Sequence, residues 1–107
     1  MPLSYASVFR ALADGTRRDI LELLRSGSRT SGEIAAQFDS SWPTISRHLA
    51  VLRASDLVTT ERRGQEIYYE LNTSVLQDFV QHLIAWGAAA PARRRSVGKR
   101  VVKRQEA

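Results

Sequence analysis

The residues between Ser40 and Ala54 carry most of the hydrogen-bonding chemistry that the sequence offers to a partner. Apolar side chains recur there at Ile45, Leu49 and Leu52, a spacing that predicts one buried stripe of a helix. The opposite side carries hydroxyl, indole and guanidinium groups and no carboxylate, namely Ser41, Trp42, Thr44, Ser46, Arg47 and Arg53. Such a surface can donate hydrogen bonds to phosphates and base edges. We therefore expect a helix that reads DNA; the alternative is an ordinary amphipathic surface helix.

A shorter helix is predicted just before this reading helix. Thr30 and Glu33 have the spacing of a capping box, and the helix that follows should run from Ser31 to Phe38. The turn at residues 39–41 contains two serines that can cap the next helix, and Pro43 suits its first turn. A short helix, a tight turn and a longer helix with a polar outer side form the helix-turn-helix plan.

Two strands are predicted after the reading helix, from Leu57 to Arg62 and from Ile67 to Leu71, because both segments are rich in β-branched and aromatic residues. The residues between them, 63–66, contain a glycine and should form a hairpin turn. In the second strand Ile67, Tyr69 and Leu71 alternate and should face the core. Arg62 and Arg63 near the hairpin tip can reach phosphates or a minor groove; the alternative is a solvated basic loop.

Helices are also predicted at both ends of this arrangement. The first runs from Leu3 to Ala13, the second follows an Asp14 cap from Thr16 to Arg25, and the last runs from Asn72 or Thr73 to about Ala90. Apolar residues recur at helical spacing in the last helix, at Val75, Leu76, Phe79, Val80, Leu83, Ile84 and Trp86. This is more apolar surface than one small domain is expected to cover, so it predicts a dimer interface together with the first helix. In the alternative, both helices pack only on their own core.

The charge of the chain is unevenly distributed. The 107 residues carry a formal charge of +5, but residues 91–107 hold seven basic side chains and one acidic one. Residues 1–90 therefore sum to −1. We expect one domain over residues 1–90 and a basic, flexible tail over residues 91–107. A DNA-binding surface on the domain must then come from segregation of charge onto one face.

Several classes of protein are disfavoured by the composition. The absence of cysteine excludes disulfides, thiol catalysis and cysteine-ligated metals. The sequence shows no bilayer-length apolar run and no signal-peptide pattern, so we expect a cytoplasmic protein that does not contact a membrane. No pairing of a nucleophile with a base is visible, and we expect no enzymatic activity.

Taken in order, these segments resemble the ArsR-type winged-helix repressors of bacteria, and in particular their non-metal, SdpR-like branch. The resemblance covers about residues 5–86. It is carried by residues 11–24, 32–35, 44–53 and 56–58, and by Arg62-Arg63-Gly64-Gln65 followed by Tyr68, Tyr69 and Leu71. It implies a mainly α fold with a two-stranded β-hairpin wing, in which four helices, the hairpin and a fifth helix follow one another.

The resemblance also implies a homodimer, joined through the first and last helices, that binds double-stranded DNA at an inverted repeat upstream of a promoter. Positions that match the DNA-binding residues of the family are Ser41, Trp42, Thr44, Ser46 and Arg47 in the reading helix, and Arg62, Arg63 and Gln65 in the wing. His48 matches a family histidine that we expect to be partly buried and structural. Any small-molecule or protein effector stays unidentified.

Metal-binding members of the family use cysteines in the helix before the reading helix, or Asp and His residues on the last helix. Here the first set is absent, and the second is reduced to Asp78 and His82, four residues apart. This pair is too small for a four-coordinate site, and we expect a local contact within one helix. The sequence therefore predicts no metal ion and no other cofactor.

The sequence departs from the family pattern at three positions. Gly15 stands where many members have proline, and Asp56 stands where glycine is usual, although aspartate tolerates a left-handed backbone. Trp42 is large for a position near DNA; it can contact a sugar, contact a thymine methyl, or simply cover the turn.

Two functions follow as hypotheses. The first is a sequence-specific repressor, with autorepression as one form of it. The alternative is a winged-helix protein-interaction module that binds DNA only non-specifically, through its basic tail; the near-neutral domain supports this alternative.

Overall fold

The computed structural model describes residues 5–88, and this part of the chain folds into five helices and three strands. In chain order the elements are α1 (Tyr5–Leu12), α2 (Gly15–Leu24), β1 (Arg29–Thr30), α3 (Ser31–Ala35), α4 (Trp42–Ala54), β2 (Val58–Arg63), β3 (Glu66–Leu71) and α5 (Thr73–Gly87). The predicted order of helices and hairpin is confirmed. None of the helices between residues 5 and 88 is long and apolar enough to cross a bilayer.

The sheet differs from the prediction because it has three strands in the order β1-β3-β2. The short strand β1 pairs antiparallel with β3, Arg29 opposite Tyr69 and Thr30 opposite Tyr68. The strand β3 therefore lies in the middle of the sheet and is not an edge. A strand of two residues shows no periodicity in the sequence, and its partner lies almost forty residues further along the chain.

The hairpin between β2 and β3 is tighter than predicted. The pairing continues to Arg63 opposite Glu66, so the turn consists only of Gly64 and Gln65. Gly64 has a φ of 63°, a left-handed conformation that glycine adopts without a steric penalty. Arg63 consequently belongs to a strand, and its side chain points to the face of the sheet opposite to that of Arg62.

Five helices, β2 and the loop before it share one hydrophobic core. The fully or almost fully buried apolar residues are Val8, Ala11, Ile20, Leu21, Leu24, Ile34, Ile45, Leu49, Leu52, Leu57, Val58 and Phe79. They include the whole predicted stripe of α4, which is therefore confirmed. Tyr69 and Leu71 pack against this core as predicted, whereas Ile67 is half-buried and lines a groove between α3 and the hairpin tip.

Side-chain caps fix where most of the helices begin. Asp14 accepts a hydrogen bond from the backbone N–H of Arg17, Thr30 and Glu33 form the predicted capping box, and Ser41 and Asn72 cap α4 and α5. Each cap satisfies a backbone donor that the helix itself leaves unpaired. The left-handed backbone expected at the turn after α4 is also confirmed, because Asp56 has a φ of 63°.

The ends of the helices differ from the prediction. The helix α3 ends at Ala35, three residues before the predicted Phe38, and Ala36 and Gln37 close it with turns. The helix α5 ends at Gly87. Predictions for Leu3, for the end of the last helix near Ala90 and for the tail at 91–107 lie outside the described residues.

Candidate nucleic-acid interface

The first turn of α4 begins with a pair of hydroxyl groups that bind each other. The Oγ atom of Ser41 accepts a hydrogen bond from the backbone N–H of Thr44 at 3.4 Å. The same oxygen lies 3.0 Å from Oγ1 of Thr44, so a second hydrogen bond joins the two side chains. Both hydroxyls were predicted as DNA-binding groups. In the structure the two hydroxyls bind each other and cap the helix, which leaves less of their hydrogen-bonding capacity for a partner.

The indole of Trp42 is the largest solvent-exposed side chain of this turn. Trp42 is the first residue of α4, and 53% of its surface is exposed. Within residues 5–88 its ring stacks on no other ring and makes no hydrogen bond. The exposure of Trp42 fits poorly with a role in simply covering the turn, because more than half of the residue faces solvent.

The middle of α4 presents two more predicted residues to solvent. Ser46 and Arg47 are exposed, and neither has a hydrogen-bond or ion-pair partner within residues 5–88. Ser46 follows Trp42 by one helical turn, and Arg53 lies on the same side of the helix two turns further along. Ser46 and Arg53 both line a shallow groove between α4 and β3. Arg47 lies on the adjoining side of the helix, facing away from the buried stripe. The guanidinium groups of Arg47 and Arg53, which have no hydrogen-bond or ion-pair partner in the described part of the chain, suit contacts with phosphates or guanine.

The two arginines of the hairpin differ in their surroundings. The guanidinium of Arg63 binds Oε1 of Glu61 through Nε at 3.1 Å and through Nη2 at 3.0 Å. Its carbon Cζ also lies 4.3 Å from the centre of the Tyr68 ring. Arg62 is exposed and has no such partner within residues 5–88, and the same holds for Gln65 at the tip. Arg62 is therefore the free cation of the hairpin, and Arg63 is already paired.

The side chain of His48 projects from the inner side of α4, and 17% of it is exposed. The predicted partial burial is therefore confirmed. Its Nδ1 atom lies 3.3 Å from Nη1 of Arg17, and its Nε2 atom lies 3.8 Å from Oδ2 of Asp14. Because a guanidinium can only donate, the hydrogen bond to Arg17 requires an unprotonated Nδ1. In neutral His48 the proton therefore resides on Nε2, towards the Asp14 carboxylate.

Arg17 joins the end of α1 to the reading helix. Besides its contact with His48, it donates to the carbonyl oxygen of Ala11 at 2.7 Å and to that of Arg10 at 2.8 Å. The sequence places Arg17 on the solvent side of α2 and gives no sign of this role, because His48 is 31 residues away. We count Arg17 as a positioning residue that sequence reasoning missed.

Asp14 is held in its charged form by the same cluster. The backbone N–H of Arg17, which donates to Oδ2 of Asp14 at 3.1 Å, lowers the pKa of the Asp14 carboxyl below its ordinary value. The positive charge of the Arg17 guanidinium also lowers this pKa, and partial desolvation opposes these effects. The start of α2 thus favours a negative charge, as the dipole of a helix also does.

The predicted contact between Asp78 and His82 is not formed. The ring of His82 instead stacks on that of Tyr5 of α1, at a centroid distance of 4.3 Å, and makes a tilted contact with that of Trp86, at 4.9 Å. The ring is therefore used in packing α5 on α1. Within residues 5–88 no three His, Asp or Glu side chains are grouped in a way that could hold a metal ion.

A contiguous apolar surface remains exposed on α1 and α5. Phe9 is 42% exposed, and its ring stacks on that of Trp86 at 6.0 Å. Ile84 and Trp86 are 56% and 65% exposed, and Val80 and Leu83 are also partly open. We call Phe9, Val80, Leu83, Ile84 and Trp86 the α1–α5 surface. A soluble monomer rarely leaves so many large apolar side chains side by side in water.

Comparison with known proteins identifies the family. Residues 14–60 match the model of the bacterial regulatory proteins of the arsR family. The chain is 47% identical over 78 residues to the transcriptional repressor SdpR of Bacillus subtilis, a match that spans 73% of this chain and 87% of SdpR. It is 35% identical, also over 78 residues, to an arsenical resistance operon repressor of Staphylococcus aureus, spanning 73% of this chain and 75% of that repressor.

Solved structures of similar proteins share the fold. An ArsR-like transcriptional regulator of Rhodococcus sp. RHA1 superposes with a TM-score of 0.76 at 32% identity, covering 88% of this chain and 89% of the regulator. A homodimeric winged helix-turn-helix DNA-binding domain of Mycobacterium bovis has a TM-score of 0.64 at 32% identity and covers 78% of each chain. The predicted winged helix-turn-helix architecture is thereby confirmed.

Proposed function

Because this chain belongs to the ArsR family of bacterial transcriptional regulators, we propose that it is a homodimeric repressor that binds an inverted-repeat operator. The observation that carries this proposal is the solvent side of α4, which presents an indole, hydroxyls and unpaired guanidinium groups and no carboxylate. Proteins of this architecture place such a helix in the major groove.

The segregation of charge supports operator binding by the domain itself. Residues 1–90 have almost no net charge, yet the 13 residues of α4 include two arginines and no acidic residue. The free Arg62 adds a cation at the hairpin, so that phosphates on both sides of a groove can be contacted. We propose Ser41, Trp42, Thr44, Ser46, Arg47, Arg62, Arg63 and Gln65 as the DNA-binding residues, Ser41 and Thr44 being partly engaged in the helix cap.

The α1–α5 surface supports a dimer. A second copy of the chain would cover Ile84 and Trp86, the most exposed of its large apolar side chains. The related domain of Mycobacterium bovis is homodimeric. A two-fold axis through this surface presents two copies of α4, and two reading helices related in this way match two half-sites of an inverted repeat.

The basic residues at 91–107 add a second, weaker source of affinity in this proposal. They lie outside the described residues, and we treat them as a tail that follows the domain at 1–90. Their seven cations would contact phosphates without regard to sequence and make the affinity sensitive to salt. A DNA-binding regulator of this kind is expected in the bacterial cytoplasm.

The alternative function is an interaction module in which only the tail binds DNA. Two observations favour it: the near-neutral charge of residues 1–90, and the ion pair that Arg63 forms with Glu61. The two functions differ in what Arg47→Ala and Arg62→Ala should do. Each substitution should weaken specific binding by a repressor and leave an interaction module unaffected.

The experiment that tests the proposal is a binding titration of the purified full chain. The probes are its own upstream DNA and a scrambled duplex of the same composition, each at two salt concentrations, with and without zinc. The proposal predicts a large preference for the upstream DNA, independent of zinc. Equal and salt-fragile binding to both duplexes would contradict it and favour the interaction module.

A further inference from the structure

We propose that Trp42 reads a thymine, by packing its indole on the C5-methyl group in the major groove at the edge of each half-site. This inference rests on the proposed function and names the chemistry of one of its contacts. It starts from a difference within the first turn of α4: the hydroxyls of Ser41 and Thr44 are hydrogen-bonded, whereas the exposed indole between them has no hydrogen-bond or ring partner among residues 5–88.

The engaged hydroxyls change which groups can read DNA at this end of the helix. The Ser41 oxygen accepts the Thr44 N–H and shares a hydrogen bond with the Thr44 hydroxyl. Breaking these bonds to contact a base would remove the cap of α4, which typically costs about 1 kcal/mol. The DNA can meet Trp42 without any such rearrangement.

The position of Trp42 places its indole where base edges are read. The N-terminal residues of a recognition helix are those that contact bases, and Trp42 is the first residue of α4. The adjacent Pro43 has a fixed φ, which limits the freedom of the turn from which the indole projects. One helical turn further along lies the exposed hydroxyl of Ser46, which can bond to any base.

The chemistry of the indole selects the partner. Its broad faces are apolar, and its single N–H can donate but not accept. Among the groups that line the major groove, only the thymine methyl is apolar. Phosphates instead favour cations, which α4 supplies separately through Arg47 and Arg53. An exposed indole that becomes buried on binding also has the character of an interface hot spot.

The test compares thymine with uracil, which differs from it only by the missing methyl group. The full chain and its Trp42→Ala and Trp42→Phe variants are titrated with the upstream duplex, and with the same duplex carrying deoxyuridine at one thymidine position at a time. We expect one position in each half-site where loss of the methyl weakens the wild-type chain about fourfold, the value of one buried methyl-sized group.

The Trp42→Ala variant should bind the thymidine duplex about tenfold or more weakly. At the critical position it should show no further loss with deoxyuridine. The Trp42→Phe variant should keep part of the methyl preference because it keeps an apolar ring. Because Trp42 is exposed and outside the core, all three proteins should unfold at similar temperatures, which thermal denaturation checks.

Four outcomes would overturn the inference. Equal deoxyuridine effects in the wild type and in Trp42→Ala would assign the methyl contact to another residue. A loss in Trp42→Ala without a deoxyuridine effect at any position would indicate a contact with the sugar. Full specific binding by Trp42→Ala would exclude any contact, while the proposed function would stand. If the wild-type chain itself shows no preference for the upstream duplex, the proposed function fails, and this inference fails with it.

Discussion

At the level of single residues, the pairing of Arg63 limits the positive charge that the hairpin would offer to DNA in the proposed complex. Glu61 binds the Arg63 guanidinium through two nitrogens, and the Tyr68 ring lies against it. An exposed ion pair of this kind stabilises a fold by at most about 1 kcal/mol, so a phosphate can compete for the arginine. Glu61 thus lowers the positive potential of the hairpin without holding the Arg63 side chain firmly in place.

We expect Glu61→Gln to raise the affinity of the chain for DNA up to about fivefold, because it frees Arg63 and removes a negative charge from the hairpin. The slope of log affinity against log salt concentration should become steeper by about one unit if Arg63 then contacts a phosphate. Titrations at several salt concentrations measure both quantities.

The matched control is Glu70→Gln. Glu70 is also exposed, lies on the neighbouring strand and forms no ion pair within residues 5–88. Its removal changes the net charge by the same amount and should leave the salt slope unchanged. If the two variants behaved alike, the effect would come from net charge and not from the release of Arg63.

A second prediction at this level concerns pH. Because Asp14 has a lowered pKa in the folded chain, its charge stabilises the fold above its ordinary pKa of 3.8. That contribution is lost as the pH falls through the lowered value. Asp14→Asn keeps a good capping residue but cannot titrate, so the stability of this variant should depend less steeply on pH in the acid range.

Thermal unfolding at a series of acidic pH values measures this difference. Asp19→Asn is the control, because Asp19 is an exposed carboxyl of the same helix that caps nothing. A pH dependence of Asp14→Asn equal to that of the wild type would show that the Asp14 charge contributes nothing to folding stability.

At the level of elements, the contact between Arg17 and His48 connects the end of α1 with α4. The guanidinium binds two carbonyl oxygens of α1 and one nitrogen of the reading helix. Arg17 therefore fixes the orientation of the exposed side of α4 relative to α1, which carries part of the α1–α5 surface. In the proposed dimer, this side chain would give a short physical connection between the interface and the DNA contact.

We expect Arg17→Met to lower the free energy of unfolding by about 1–3 kcal/mol, because three hydrogen bonds of a charged group are lost. It should also weaken operator binding severalfold, because α4 loses a contact that orients it. Arg18→Met is the control: Arg18 donates to the carbonyl oxygen of Leu12 at the same junction and, within residues 5–88, forms no hydrogen bond or ion pair with α4.

Denaturant unfolding and operator titration on both variants separate the two effects. The Arg18 variant should bind the operator as the wild type does, within about twofold. If both variants lost operator affinity in proportion to their loss of stability, Arg17 would have a purely structural role.

At the level of the whole molecule, the proposed function requires that a second copy of the chain cover the α1–α5 surface. The rings of Tyr5, His82, Trp86, Phe9 and Phe79 already contact one another across α1 and α5. This contact fixes the angle between the two helices within one chain. Phe9 and Trp86 belong both to these rings and to the exposed α1–α5 surface, and in the proposed dimer this surface would contact its copy across a two-fold axis.

We expect Ile84→Glu to raise the dissociation constant of the dimer at least about tenfold, since it places a charge in an apolar interface. Operator affinity should fall with it, because one chain offers a single reading helix. Gln81→Glu introduces the same charge on another side of α5 and should leave the dimer intact. Sedimentation analysis measures the dissociation constant, and a dimeric Ile84→Glu variant would rule out this interface.

Much of the architecture follows from local sequence, because it depends on groups that are close together along the chain. The caps at Asp14, Thr30, Ser41 and Asn72 each involve a backbone N–H three residues away, so residue types and spacing suffice to predict them. The buried stripe of α4 follows from helical periodicity in the same way. The left-handed backbone at Asp56 could also be predicted from the sequence, because aspartate is one of the few residue types that tolerate this conformation.

The features that needed the folded chain all join distant segments. The strand β1 exists because Arg29 and Thr30 meet Tyr68 and Tyr69, and Arg17 gains its role from His48. The engagement of Arg63, the free state of Arg62 and the ring contacts of His82 likewise depend on where side chains meet in space. Sequence patterns record which side of an element is apolar, but they do not record which polar group on one element reaches a partner on another.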